Sequence, residues 1–248
     1  MEKLTAENIT VSYEGENVIE DINIHLDDGE IVSLLGVSGS GKTTLFNAIS
    51  GIAPPDYGSV LLNGEDITGK TGKLSYMLQK DLLLPYYTVL DNVALPLIIK
   101  GEKKKTAREK ALEHFSFFGL EDTADKYPHQ LSGGMRQRAA FLRTYLSCDN
   151  VALLDEPFSA LDTITKSAIH QWYLDIMKEI KLSSLIVTHD IDEAILLSDR
   201  IYILSGKPGR ITDEFVINLP KPRNNSMAMT QDFLDYKRKI LEKIAITA

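Results

Sequence analysis

The run Gly36-Val37-Ser38-Gly39-Ser40-Gly41-Lys42-Thr43 constrains the fold more than any other stretch of this chain. It fits G-x-x-x-x-G-K-S/T at every fixed position. Before it lies Ile31–Leu35, a continuous apolar segment of the kind a strand buried on both faces requires. After it the sequence predicts a helix from about Lys42 to Ser50, stopped by Gly51. Glycines let the backbone curl so that successive amides face phosphate oxygens, and the helix N-terminus adds its positive dipole end. Lys42 would hold the β- and γ-phosphates and the Thr43 hydroxyl would ligate Mg²⁺. Gly36, Val37, Ser38, Gly39, Ser40, Gly41, Lys42, Thr43 and Thr44 are therefore candidate nucleotide contacts.

Such a loop needs an acidic strand end as partner, and Val151-Ala152-Leu153-Leu154-Asp155-Glu156 supplies one. A carboxylate at the C-terminal end of a parallel strand lies in the crevice where α/β folds bind ligands. Asp155 would hold the metal and Glu156 would polarise the attacking water. Around these motifs strands and helices alternate: Ile164–Ile180 reads as helix, Leu185–Thr188 as strand, Asp192–Leu197 as helix and Ile201–Leu204 as strand. Ile22, Ile24 and Leu26 alternate with polar residues, and Asn63-Gly64 marks a hairpin between Ser59–Leu62 and Asp66-Ile67. Thr88 to Leu146 reads mainly as helices, with Ala107, Ala111, Leu112, Phe115 and Phe118 near helical spacing and Gly119 as the stop. The expected fold is α/β: a mainly parallel sheet, an N-terminal antiparallel β region and an inserted helical subdomain. Beyond Ser205 the sequence predicts a strand or two and a helix near Phe233–Ile244.

Composition narrows the function. The 248 residues carry a formal charge of −8, which argues against non-specific nucleic-acid binding. The one cysteine, Cys148, can form no internal disulfide. The start, MEKLTAENIT, has no apolar signal core. Val89–Ile99, the most apolar stretch, is interrupted by Asp91, Asn92 and Pro96 and falls far short of the roughly 20 residues of a membrane span. Read alone, this is a soluble cytoplasmic chain. A guanine-reading N-K-x-D is absent, since no Asn-Lys pair occurs, and Asp66-Ile67-Thr68-Gly69 reads as a chance D-x-x-G after a hairpin. Arg108, Arg136, Arg138 and Arg143 in the insert leave a small-molecule kinase open.

Leu131-Ser132-Gly133-Gly134 closes that question. Ser132 can cap a helix running to about Leu146, and the paired glycines leave backbone amides bare, a second anion-binding pattern. With this motif the chain resembles the ATP-binding cassette (ABC) family, whose signature begins Leu-Ser-Gly-Gly. The resemblance implies P-loop ATPase activity with ATP and Mg²⁺. It also implies a head-to-tail dimer with a second copy, in which Ser132, Gly133 and Gly134 complete the partner's site. Carried over position by position, it makes Tyr13 the adenine-stacking aromatic. Gln79 contacts magnesium and water and responds to the transport partner. Ser159-Ala160-Leu161-Asp162 crosses the dimer interface and His189 contacts the γ-phosphate. Catalytic roles thus fall to Glu156, His189 and Gln79, and metal contacts to Thr43, Gln79 and Asp155. The resemblance implies an ATPase domain over 4–226 (core about 1–87 and 147–226, helical subdomain about 88–146) and a C-terminal helical extension over 227–248.

Two departures stand out: Lys166 occupies a position where many relatives have Arg, and Leu146-Ser147-Cys148-Asp149 lacks a usual proline. Two uses of the ATPase remain, a membrane transporter or soluble work on DNA or ribosomes. Lys42 and Ser132 are only 90 positions apart with no sustained heptads between them, and one cassette is present, which disfavours the second. Ser205-Gly206-Lys207-Pro208-Gly209-Arg210-Ile211 and Leu219-Pro220-Lys221-Pro222-Arg223 look like the importers of the nitrate/sulfonate/taurine group, which includes carriers of pyrimidine precursors. Membrane permease subunits, indirectly an extracytoplasmic solute-binding protein, and no nucleic acid are then the implied partners, with the chain peripheral on the inner face of the membrane. Leu82, Leu83, Leu84, Pro85 and Tyr86 form an apolar loop that either receives a helix of the membrane subunit or packs beneath the helical insert.

Overall fold

The computed structural model describes residues 2–147 and 151–247; Cys148 and Asp149, named above, lie outside the described residues. Two long strands, β1 (Glu2–Tyr13) and β2 (Glu16–Asp27), form an antiparallel hairpin closed at Glu14-Gly15, both with positive φ. Then come β3 (Ile31–Leu35), α1 (Lys42–Ile49), β4 (Tyr57–Leu62) and β5 (Glu65–Asp66), the last two joined at Asn63-Gly64, again both at positive φ as an Asn-Gly hairpin demands. β6 (Ser75–Met77) leads to the helices α2 (Val89–Ile99), α3 (Lys104–Glu113) and α4 (Gly133–Ser147). The strand–helix rhythm resumes with β7 (Val151–Asp155), α5 (Thr163–Ile180), β8 (Ser183–Thr188), α6 (Ile191–Leu197), β9 (Arg200–Ser205), β10 (Arg210–Val216) and α7 (Gln231–Thr247).

One sheet has the order β2-β1-β4-β5 and is antiparallel. The other has the order β10-β9-β3-β8-β7-β6, parallel throughout except for the edge strand β10. Period-two alternation divides the core between the two faces of this second sheet. Val32 and Leu34 of β3 and Leu153 of β7 pack with α1 and the antiparallel sheet, so that α1 is sandwiched between sheets. Phe46 of α1 is fully buried there, worth about 2–3 kcal/mol of apolar burial. Ile31, Leu35 and Leu154 face the other way, onto α2, α4, α5, α6 and α7. With β3 between β8 and β9, the C-terminal ends of β3, β7 and β8 lie along one rim of the sheet. The phosphate-type loop, Asp155-Glu156 and His189 all follow those ends.

The middle of the chain differs from expectation in one respect. α3 ends at Glu113, and residues 114–118 pass through turns to Gly119 at φ 65°. Phe115 and Phe118 are buried by that irregular path, whereas Leu112, expected on the same helical face, is exposed. Thr88 caps α2 by accepting from the Asp91 amide, and Asp91 in turn pairs with Arg108 of α3 at 2.7 Å. Among the described residues no helix is long and apolar enough to cross a membrane.

The two tail motifs have structural work. Gly209 exchanges backbone bonds with β2 (its N–H to Val18 O at 2.8 Å, Glu20 N–H to its O at 2.9 Å), and a Cβ there would collide with Ser40 O in the glycine-rich loop. Arg223 is buried, donating to Ser198 O and, at 2.8 Å, to Ile217 O. It fastens the segment leading to α7, whose Phe233 and Ile240 are buried in the core.

Candidate nucleotide site

Close packing explains the fixed glycines. A Cβ on Gly36 would lie 2.5 Å from Leu204 O and 2.8 Å from Ser40 Oγ, and Gly41 sits at φ 97° against the Ile19 side chain. Gly41 offers α1 no side-chain cap, so the amides of its first turn face the loop. Lys42 is buried and folds back over the loop, donating to Gly36 O at 2.9 Å and Val37 O at 2.8 Å. Burial lowers its pKa, opposed by the charges of Glu156 and Asp155. Ser38, Gly39, Lys42, Thr43 and Thr44 line a cavity of about 580 Å³ whose other wall carries Gln79, Glu156 and His189.

Asp155 ends β7, 6% exposed, with Oδ2 3.4 Å from both Thr43 Oγ1 and the Tyr76 hydroxyl. Burial and the neighbouring Glu156 raise its carboxyl pKa, and the bonds from Tyr76 and Thr43 work against that rise. Burial and the Asp155 charge likewise raise the Tyr76 hydroxyl. Thr43 and Asp155 form a hard-oxygen pair of the kind magnesium takes from a protein that leaves its other positions to phosphates and water. Among the described residues no group of three or more His, Cys, Asp or Glu could hold a metal by itself.

Glu156 takes a left-handed backbone, φ 43°, a conformation costing a non-glycine residue on the order of 1–3 kcal/mol. Its amide bonds Val187 O at 2.9 Å, which holds the turn beside β8. The turn points the carboxylate so that Oε2 lies 3.2 Å from Gln79 Nε2 and 3.2 Å from His189 Nδ1. Gln79, just beyond β6, also reaches Ser159 Oγ at 3.4 Å. Three side chains from three strand ends thus meet at one carboxylate oxygen. His189 is 58% exposed and Glu156 19%, an opening through which substrate and water can enter.

Other expected residues stand apart. Tyr13 is half exposed at the β1–β2 turn and does not line the phosphate cavity. The Ser132 hydroxyl accepts from Met135 N at 3.3 Å, capping α4 as expected. Ser132 and Gly134 line a different cavity with Arg138, Thr165 and Ile169, into which no residue of the phosphate-type loop projects. Gly133 packs against Leu161. Within one protomer, therefore, Leu131–Gly134 is not assembled with the loop. Asp162 caps α5 by accepting from Thr165 N at 3.1 Å.

Of the two alternatives for the apolar loop, Leu83 takes the buried one. It is buried in the core, while Leu82, Leu84 and Tyr86 are turned outward, Tyr86 92% exposed. Two residues that sequence reasoning missed hold this conformation. Fully buried Asn92 accepts from Leu84 N at 2.7 Å and donates to Leu84 O at 3.1 Å, while Arg143 donates to Leu82 O at 2.9 Å and Asp81 O at 2.5 Å.

A phosphate-cradling loop after a buried parallel strand, an acidic strand end across from it and a cluster on the same rim define a P-loop nucleoside triphosphatase. The comparisons narrow the class. Residues 19–159 match the ABC transporter family. The formylaminopyrimidine import ATP-binding protein ThiZ of Halalkalibacterium halodurans is 42% identical over 98% of this chain and 94% of its own length. The aliphatic sulfonates import ATP-binding protein SsuB of Bacillus cereus is 39% identical (91% and 88% covered), and the nitrate import ATP-binding protein NrtD of Synechocystis sp. 37% (90% and 86%). A dimeric ATP-binding cassette in a post-hydrolysis state bound to ADP and Pi superposes with a TM-score of 0.74 at 31% identity, covering 88% of this chain and all of that one. The chain belongs to the ABC transporter family; it is an ATP-binding cassette ATPase.

Proposed function

We propose that this chain is the energy-coupling subunit of an importer for a small solute of the nitrate, sulfonate or pyrimidine-precursor type. The import names of its relatives support that reading over work on DNA or ribosomes. The convergence of Gln79 and His189 on Glu156 Oε2, across a cavity from Lys42, carries the chemistry. Lys42 exchanges the carbonyls of Gly36 and Val37 for the β- and γ-phosphates, which its buried ammonium meets with little competing water. Glu156 accepts a hydrogen bond from the attacking water and aims it in line with the γ-phosphorus. His189 steadies the γ-phosphate, and Gln79 holds the carboxylate in place. Thr43, Asp155 and Gln79 would hold magnesium, which would neutralise charge developing on the phosphates.

Ser132, Gly133 and Gly134 act on the nucleotide of a second copy in a head-to-tail dimer, and Tyr13 stacks on adenine. The separation of Ser132 from the phosphate loop within one protomer supports that division. Residues 4–226 form the ATPase domain, with the helical subdomain about 88–146, and 227–248 form an extension. Leu84 and Tyr86 face a helix of the membrane permease, which places the chain on the inner face of the membrane and couples it indirectly to an extracytoplasmic solute-binding protein. The test is Glu156→Gln: ATP binding persists, hydrolysis falls roughly 100-fold or more, and dimer accumulates. Normal turnover by that variant would remove Glu156 from the role assigned to it.

A further inference from the structure

His189 is largely exposed, and among the described residues its ring pairs with Glu156 alone, Nδ1 lying 3.2 Å from Oε2. Its backbone, by contrast, is held on both sides. Thr188 ends β8, deep in the sheet, and Asp190 caps α6. The Asp190 amide donates to Thr188 Oγ1 at 3.0 Å, while Asp190 Oδ1 accepts from the amides of Asp192 at 3.0 Å and Glu193 at 3.2 Å. One carboxylate oxygen is then left over. Lys166 takes it, with Nζ 2.7 Å from Asp190 Oδ2, and the same ammonium lies 3.1 Å from Glu193 Oε2. Glu193 is 3% exposed, and the same Oε2 is also met by His170 Nε2 at 3.1 Å.

Lys166 thus stands between two acids that would otherwise repel in a poorly solvated space. It projects from the first turn of α5, its amide bonding Asp162 O at 2.8 Å, and Asp162 closes the Ser159–Asp162 loop. Ser159 in turn contacts Gln79 and donates to Glu156 O at 3.0 Å. The ammonium is therefore the joint between the segment following Glu156 and the segment carrying His189. Burial lowers the pKa of Lys166, but the bonds and charges of Asp190 and Glu193 outweigh it and hold the group above its ordinary value, so the joint stays charged.

We propose that Lys166 is a positioning residue for hydrolysis: by pinning Asp190 and Glu193 to α5 it fixes the loop that sets His189 against Glu156. The inference rests on the role given to His189 above. An arginine can serve the same two acids with its fork of donors, whereas a neutral side chain of similar length cannot.

The test is a cycle in the full-length chain. Lys166→Met lowers kcat for ATP hydrolysis roughly 10–100-fold, the scale on which misplacement by about 1 Å acts, and leaves KM for ATP within about twofold. Lys166→Arg restores most of the rate. In a His189→Ala background, Lys166→Met costs nothing further, because the group it positions is gone. Independently, the imidazole resonances of His189 shift in Lys166→Met while those of His25, on β2, stay in place. An equal loss in both backgrounds, or an unmoved His189 resonance, would overturn the proposal. Should Lys166→Met fail to fold, Asp190→Asn keeps the α6 cap acceptor and weakens only the pair, and it is measured in the same cycle. If His189→Ala itself hydrolyses ATP normally, the catalytic role of His189 falls, and the His189 resonance still decides whether Lys166 positions it.

Discussion

Asn92 gives the sharpest account of how the outward loop at 82–87 keeps its shape. Its side chain is fully buried and reaches four backbone groups: Oδ1 accepts from Leu84 N–H at 2.7 Å, and the two hydrogens on Nδ2 are shared among the carbonyls of Leu84 at 3.1 Å, Tyr87 at 3.3 Å and Thr88 at 3.0 Å. In Asn92→Ala two of those carbonyls keep another donor, because Leu84 O accepts from Tyr87 N at 3.1 Å and Thr88 O from Asn92 N at 3.0 Å. The Leu84 amide loses its acceptor and Tyr87 O its donor. At about 1–3 kcal/mol for each buried group left unsatisfied, with partial access of water to Tyr87, the expected loss is about 2–4 kcal/mol. Equilibrium urea denaturation of the nucleotide-free protein measures it as a lower midpoint at unchanged slope. Amide exchange at Leu84 and Tyr87 should accelerate more than exchange in β3. A loss below about 0.5 kcal/mol, the scale of an ordinary surface substitution, would refute the reasoning.

The remaining predictions follow from charge and exposure. Asp155 has a raised carboxyl pKa, so its ionised form opposes folding, and that penalty is present above the raised value and absent below the unfolded carboxyl value near ~3.9. Asp155→Asn should therefore raise the thermal midpoint of the nucleotide-free protein at neutral pH, with the gain vanishing as pH falls to about 4; a pH-independent gain would contradict the assignment. Replacing exposed Leu84 and Tyr86 by Ser should weaken co-purification with the permease, whereas Leu83→Ser should destabilise the fold by about 2–4 kcal/mol because Leu83 is core. Undiminished co-purification of the first variant would count against the docking face.

Local sequence carried the phosphate loop, because its constraint is backbone geometry that only glycine satisfies: Gly36 against Leu204 O and Gly41 at positive φ. Buried strands such as Ile31–Leu35 and Val151–Asp155 were equally legible as continuous apolar runs. What stayed hidden depends on neighbours distant in the chain. Tyr76 reaches Asp155 because β6 pairs in parallel with β7, Tyr76 opposite Leu153, which puts both side chains on one face. The inward turn of Leu83 depends on Asn92 and Arg143, whose helices must first be placed. The path of 114–118 shows the limit of periodicity: Phe115 and Phe118 are buried, yet not by a helical stripe. Arg223 was visible in the tail motif, but its service to the carbonyls of Ser198 and Ile217 required the fold.

In the proposed head-to-tail dimer two copies share each ATP site, the loop at 36–43 from one and Ser132–Gly134 from the other. Mixed dimers test it directly through single-turnover ATP hydrolysis. A dimer pairing a Lys42→Ala protomer with a Ser132→Arg protomer places both lesions in one shared site and leaves the second intact, so it should hydrolyse ATP. A dimer pairing the double variant with an unaltered protomer damages each site once and should be inactive. The reverse pattern, activity only where one chain is wholly unaltered, would mean that each site is built within a single chain and would contradict the account.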